Sequence, residues 1–247
     1  MNPIPVLGIP HYNRSDLTLR CIQSIDYRVD LLVIIDQGPE PLEWPTPPRD
    51  AIPACVKSFE ISRHRNYGVA GAWNEIVINY PAPWWMIVNN DIQFTTGDLE
   101  KMTAVAWDHP EAGIFYGNHG ASWFAVTQKG IFEVGLWDQN FIAYLEDCCW
   151  GYRCELLGVK RLNVQDCHAI HGEMVRGHME GSRTVNDNDR LASENSRTHG
   201  LGFEYYKLKW GGLNGQEVYK TPFGDPNWPV WAWRFDPKLR KRMQWKV

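Results

Sequence analysis

Leu31-Leu32-Val33-Ile34-Ile35-Asp36 is an unbroken apolar run that stops on a carboxylate. A run this short, rich in branched residues and without alternation, predicts a strand buried on both faces. Two more segments end in the same way. Val6–Pro10 turns polar at His11-Tyr12-Asn13-Arg14, and Trp84–Val88 runs into Asn89-Asn90-Asp91. Helical patterns lie between them. Ser15 or Asp16 can cap a helix carrying Leu17, Leu19, Cys21, Ile22 and Ile25, and Gly68 to Tyr80 reads as a helix opened by a glycine turn. Pro39 to Pro53 is proline-rich and predicts a loop, with a third strand over Val56–Ile61. Strands alternating with helices predict an α/β domain, a mostly parallel mixed sheet with helices on both faces.

Further along, Gly97-Asp98 starts a helix that runs to about Trp107. Short strands follow at Gly113–Tyr116 and Ala121–Val126, then a helix over Tyr144–Leu157 and a late strand at Arg161–Val164. The polar stretch after Gly172 is rich in Gly, Ser, Asn and Arg, so 173–200 is expected to be a mobile lid loop. Gly177, Gly181 and Gly200 are its candidate hinges, and Arg176 or Arg183 can reach an anion. The domain proper is expected to span 1–172, and 201–247 an aromatic and basic C-terminal extension packed on or near the ligand side.

The chain has 247 residues, of which 44% are apolar and 22% charged. That suits one large domain, and excludes collagen, coiled coils and disordered tails. No apolar run approaches the roughly 18–20 residues of a membrane span. The opening Met-Asn-Pro-Ile-Pro lacks the basic start and apolar stretch of a signal peptide, so a cytoplasmic location is expected. The six cysteines, at 21, 55, 148, 149, 154 and 167, form no CxxC, and reduced thiols are expected. The spacing from Cys148 to His171 is too irregular for a standard zinc pattern. Net charge is −4, with 9 Lys/Arg against 3 Asp/Glu after residue 204 and 16 against 26 before it. The basic tail holds five of the 13 tryptophans. It either folds back on the acidic body, grips a polyanion or touches a membrane interface.

Ligands of open α/β sheets sit beyond the carboxyl ends of the strands. Three polar clusters fall there: His11–Arg14, Asp36 and Asn89–Asp91. Each alone reads as an ordinary turn. Together they read as a site. A carboxylate beside amide oxygens suits a hard divalent cation, so Asp91 is a candidate ligand for Mg²⁺ or Mn²⁺. Asp36 can accept hydrogen bonds from a base or ribose. Asn66-Tyr67-Gly68-Val69-Ala70-Gly71-Ala72-Trp73-Asn74 places glycines before a helix, whose N–H groups can meet a phosphate. Trp123, Trp150 and Arg153 are candidates for an acceptor pocket, because aromatic faces suit sugars and bases, or they pack in the core.

Over roughly residues 4–172 these segments resemble glycosyltransferase family 2, an inverting family with the GT-A, Rossmann-like fold. Pro10-His11-Tyr12-Asn13-Arg14 is similar to its opening strand end. Ile34-Ile35-Asp36-Gln37-Gly38 resembles the strand whose aspartate binds the nucleoside. The Asn66-to-Asn74 stretch is similar to its Asn-x-Gly segment. Val88-Asn89-Asn90-Asp91 resembles its DxD element, with Asn89 in place of the first aspartate. Gly135-Leu136-Trp137-Asp138, Phe141 and Tyr144-Leu145-Glu146-Asp147 resemble its Glu-Asp block, and Ile170-His171-Gly172 its late histidine.

The resemblance implies a nucleotide-sugar donor, most simply UDP-linked, a hydroxyl acceptor and Mn²⁺ or Mg²⁺. It implies Asp147 as catalytic base at a helix N-terminus. It implies Asp91 and His171 as metal ligands, with His168 the rival histidine. Pro10, Tyr12, Asn13, Arg14, Asp36, Asn66, Gly71, Asn74, Asn89 and Asn90 are then expected around the donor, and Trp123, Glu146, Trp150 and Arg153 around the acceptor. That acceptor is open: a saccharide, a protein or a modified base in DNA. Two rivals stand beside this reading: a nucleotide- or glycan-binding module of the same fold without turnover, and a nucleotidyltransferase releasing pyrophosphate.

Overall fold

In the computed structural model, the described residues are 2–45, 48–175, 178–180, 184 and 188–228. The elements in chain order are β1 (Ile4–His11), α1 (Ser15–Gln23), β2 (Val29–Asp36), β3 (Val56–Arg63), α2 (Gly68–Asn79), β4 (Trp84–Val88), β5 (Ile92–Gln93) and α3 (Asp98–Asp108). Then come β6 (Ile114–Gly117), β7 (Gly120–Thr127), α4 (Gln128–Val134), α5 (Glu146–Leu157), β8 (Arg161–Asn163), β9 (Ile170–His171), β10 (Glu173–Val175), β11 (His178–Glu180) and α6 (Asp189–Trp210). Short 3₁₀ turns lie at Pro48–Ala51 and Pro222–Gly224.

The main sheet has seven strands in the order β3-β2-β1-β4-β7-β6-β8. β1, β2, β3 and β4 are parallel neighbours, β7 runs antiparallel to β4 and β6, and β8 is parallel to β6. The fold is therefore a mixed, mostly parallel α/β sheet with helices on both faces. β2 shows why its run is unbroken. Leu32 and Ile34 enter a core layer with Cys21 and Ile22 of α1 and Leu99 and Met102 of α3. Val33 and Ile35 enter the opposite layer, with Trp73, Ile76 and Val77 of α2 and Trp150 of α5. Both faces are covered, so neither admits a polar residue.

A third, smaller cluster joins α5 to α6. Phe141, Leu145, Cys149 and Tyr152 pack on Tyr206 and Trp210, with Trp228 of the extension beside them. Here the structure departs from the expected organisation. The stretch 173–200 is not an irregular loop: it holds the β10–β11 hairpin and the first half of a 22-residue helix. Asn188 caps that helix, its side chain accepting from Leu191 N–H at 3.0 Å. The proposed hinge Gly200 lies inside α6, whereas Arg176, Gly177, Gly181 and Arg183 lie outside the described residues, as does the basic stretch from 229 onward. The helix escaped notice because its buried face is sparse: only Leu191, Gly202, Tyr206, Lys209 and Trp210 are buried.

Candidate active site

A cavity of about 240 Å³ opens at the carboxyl ends of β1, β2 and β4. Pro10, His11 and Tyr12 come from the first strand end, Gln37 from the second and Asn89, Asn90 and Asp91 from the third. Asn66, Gly68 and Val69 form another wall. Ile142 and Ala143, and the face Leu191, Glu194, Asn195 and Thr198 of α6, complete the lining. The strand-end clusters thus converge, because parallel strands deliver all their carboxyl ends to one edge.

Asp91 is 1% exposed and meets His171, whose Nε2 lies 3.3 Å from its Oδ1. The β5–β9 pair makes this contact: Ile92 opposes His171, and Gly172 N–H donates to Asp91 O at 2.9 Å. The His119 ring stands 5.5 Å from that of His171. His168 takes no such place; its N–H donates to the buried Asp98 at 2.9 Å. Among the described residues no cluster of three or more His, Cys, Asp or Glu could enclose a metal. One carboxylate and one imidazole suit a divalent cation whose shell is completed by phosphate oxygens and water.

Asn90 is fully engaged. Its Nδ2 donates to Asn13 O and Thr18 Oγ1, both at 2.9 Å, and its Oδ1 accepts from Thr184 Oγ1 at 2.9 Å. Asn13 Nδ2 donates to Thr184 O at 3.3 Å. Thr184, buried and in the lining, therefore covers polar groups expected to meet a donor. His11 Nδ1 pairs with Thr18 Oγ1 at 2.8 Å, and burial holds its imidazole below the ordinary value.

Several residues expected around the donor are bonded within the fold. Asp36 is 2% exposed and outside the lining. Its carboxylate accepts from Gly38 N–H at 3.0 Å, Leu42 N–H at 3.1 Å and Arg63 Nη1 at 2.7 Å, so it tethers the following loop. Gln37, one residue on, is the group that lines the cavity. Arg14 has a left-handed backbone, with φ 62°, and binds Asp16 at 2.8 Å. Asn74 bridges to Trp137, giving 2.9 Å to its carbonyl and accepting 3.0 Å from its N–H. A Cβ on Gly71 would lie 2.2 Å from the Tyr67 ring, so that glycine admits the ring.

The N-terminus of α2 is not an open anion site. Tyr67 N–H donates to Gln37 Oε1 at 2.9 Å, Gly68 N–H to Asn66 Oδ1 at 2.9 Å and Val69 N–H to Ile142 O at 2.9 Å. Gly68 is required here: its φ is 83°, and a Cβ would sit 2.3 Å from Ile142 O.

The expected acceptor residues are largely core. Trp123 is 0% exposed and packs edge-on to Phe94. Trp150 is stacked on Trp137 and donates to Gly135 O at 2.8 Å. Arg153 ties down the end of α4, donating to Val134 O at 3.0 Å and Leu136 O at 2.7 Å. Glu146 is 5% exposed, and burial, aided by the neighbouring Asp147 charge, pushes its carboxyl up to about 8. Tyr144 and Leu145 before it are both left-handed, with φ 68° and 67°. Asp147, in the first turn of α5, is not among the residues lining the first cavity. Asp147 instead lines a second cavity of about 420 Å³, with Tyr116, Tyr152 and the 214–217 loop.

The residues missed from sequence were Gln37, Thr184 and the α6 face. The 191, 194, 195, 198 spacing of that face, behind the Asn188 cap, was its only signal.

No family model and no curated relative matches the chain. Solved structures do resemble it. A mannosyltransferase from Pyrobaculum calidifontis, in complex with GDP-Man and Mn²⁺, aligns with TM-score 0.52 and 15% identity over 69% of this chain. TarS of S. aureus aligns at 0.51 and 12% over 66%, and its 1-349 fragment in complex with UDP at 0.51 and 11% over 67%. The chain spans 58%, 35% and 59% of these three. At such identities the likeness establishes the GT-A glycosyltransferase fold. Among the described residues no helix is long and apolar enough to cross a membrane.

Proposed function

We propose that the chain is an inverting, metal-dependent glycosyltransferase that moves a sugar from a nucleoside-diphosphate donor to a hydroxyl acceptor. One observation carries this reading: Asp91 and His171 meet at 3.3 Å beside a cavity built from three strand ends. The solved structures that share the fold and hold GDP-Man with Mn²⁺, or UDP, support it.

Transfer expels a nucleoside diphosphate, so negative charge builds on the leaving oxygen. Asp91 and His171 would hold a divalent cation, and such a cation would supply neutralisation of that charge. Tyr12 and Gln37 flank the nucleoside end, and Asn66 and Asn89 offer amides along the diphosphate. Asp147 takes the proton from the acceptor hydroxyl as it attacks the anomeric carbon. The buried Glu146, with its carboxyl pushed up to about 8, holds a proton at neutral pH and leaves the base role to Asp147.

The deciding experiment is a thermal-shift panel of UDP, GDP and their sugars, with and without Mn²⁺. Ligand at about 100 times its Kd adds roughly 2.7 kcal/mol. A manganese-dependent shift with one nucleotide, absent in Asp91→Ala, is expected and names the base. Asp147→Asn should keep that shift and lose transfer; transfer persisting in Asp147→Asn would overturn the assigned base. A shift with nucleoside triphosphates and release of pyrophosphate would instead identify a nucleotidyltransferase.

A further inference from the structure

The first cavity is lined by strand ends and by one residue that reaches them from far along the chain. Thr184 stands shortly before the Asn188 cap of α6, yet it is 7% exposed and lies among the residues of β1 and β4. Its hydroxyl donates to Asn90 Oδ1 at 2.9 Å, and its carbonyl accepts from Asn13 Nδ2 at 3.3 Å.

The direction of each bond is fixed. Asn13 O can only accept, so the Asn90 group that meets it at 2.9 Å is the amine. The second hydrogen of that amine goes to Thr18 Oγ1 at 2.9 Å. Asn90 Oδ1 is thereby turned toward Thr184, and a side-chain carbonyl only accepts. The single hydrogen of the Thr184 hydroxyl is therefore committed to Asn90. A buried hydroxyl that donates, beside a carbonyl that accepts, presents the strand ends with the same pair of groups that a sugar nucleotide carries in its hydroxyls and phosphate oxygens.

The consequence is competition. A ligand that reaches Asn90 Oδ1 and Asn13 Nδ2 where Thr184 now sits replaces bonds that the chain already makes with itself, so its net gain there is small. The cavity beside Thr184 has only about 240 Å³. We infer that Thr184 is an internal plug, which holds the place of a donor hydroxyl in the free chain and must be displaced when nucleotide binds. The inference rests on the transferase reading, which makes this cavity the donor site. It reverses the usual sign for a lining residue, because loss of the Thr184 hydroxyl strengthens binding.

Calorimetry with UDP and GDP, each with Mn²⁺, compares the full chain with Thr184→Val and Thr184→Ser. Valine keeps the branched shape without the hydroxyl, and serine keeps the hydroxyl without the branch. Thr184→Val weakens the plugged state alone, so it is expected to bind the nucleotide roughly three- to tenfold tighter than the parent, with Thr184→Ser close to the parent. Thr184→Ala takes the place of valine should that variant not fold. Equal or weaker binding by the hydroxyl-free variant, when the parent binds, overturns the plug; weaker binding makes Thr184 a donor contact. Equal tightening in Thr184→Ser assigns the effect to side-chain shape and also overturns it. Absence of nucleotide binding in the parent and in every variant removes the transferase reading, and the plug with it.

Discussion

Two aspartates at strand ends look alike in sequence and behave differently in the fold. Asp36 accepts three hydrogen bonds from its own chain. Asp91 stands in the cavity lining against His171. Their substitutions should therefore separate. Asp36→Ala orphans two buried N–H groups and should lower unfolding free energy by about 2–3 kcal/mol, read by urea denaturation. Asp91→Ala or His171→Ala should cut manganese-dependent nucleotide affinity by about tenfold or more, read by calorimetry. If Asp36→Ala were stable and blind to nucleotide, the tether would be the wrong account of that residue.

At the scale of elements, α6 spans the molecule from the donor cavity to the loop before α5. Leu191 to Thr198 roof the cavity, and Lys209 at the far end reaches Asp138 at 2.6 Å. The pair is 9% and 14% exposed, and Tyr205 Oη adds a bond to Asp138 at 2.9 Å. Burial opposes ionisation of Asp138, yet Lys209 holds its carboxyl below the ordinary value. Lys209→Met leaves that carboxylate uncompensated and should cost about 3–5 kcal/mol in denaturant melts, with Asp138→Leu in the same chain recovering most of it. The first cavity is smaller than the roughly 300–1,000 Å³ of ordinary ligand sites, so a donor sugar nucleotide needs the α6 roof to shift. Amide exchange over 189–198 should accordingly change on addition of nucleotide and Mn²⁺, whereas exchange in β1 should not.

Two buried groups tilt the stability of the whole molecule with pH in opposite senses. Glu146 titrates near 8 folded against 4.5 ordinarily, so the folded chain holds an extra proton between those values. Its contribution is full below 4.5 and is lost as pH rises toward 8. His11 is held below its ordinary 6.5, so the unfolded chain takes up a proton that the folded chain refuses. Stability is lost on that account as pH falls below 6.5. Urea melts near about pH 5, 6.5 and 8 should show Glu146→Gln removing the alkaline loss, at most about 1.4 kcal/mol per pH unit, and His11→Gln flattening the acid side. An unchanged alkaline limb in Glu146→Gln would mean that this carboxyl is ionised in the fold.

The sheet was legible because its strands are buried on both faces: Leu31–Ile35 and Trp84–Val88 carry their own burial in their composition. The edge where the polar clusters gather was legible for the same reason, since parallel strands bring the ends at His11, Asp36 and Asn89–Asp91 to one side, but that Gln37 rather than Asp36 lines the cavity was not. The resemblance offered His171 or His168 beside Asp91 as a candidate metal ligand, and in the fold the β5–β9 pair brings His171 within 3.3 Å of Asp91. Local sequence could not say which polar side chains the fold would consume. Asp36, Asn74 and Arg153 satisfy backbone groups brought from elsewhere in the chain, and those partners exist only after folding. Nor could it show that Asp147 lines the second cavity and not the first. Burial and backbone period are local and leave a mark in the sequence. Partnership between distant groups is a property of the folded chain, and it decided which of the candidate residues line the first cavity.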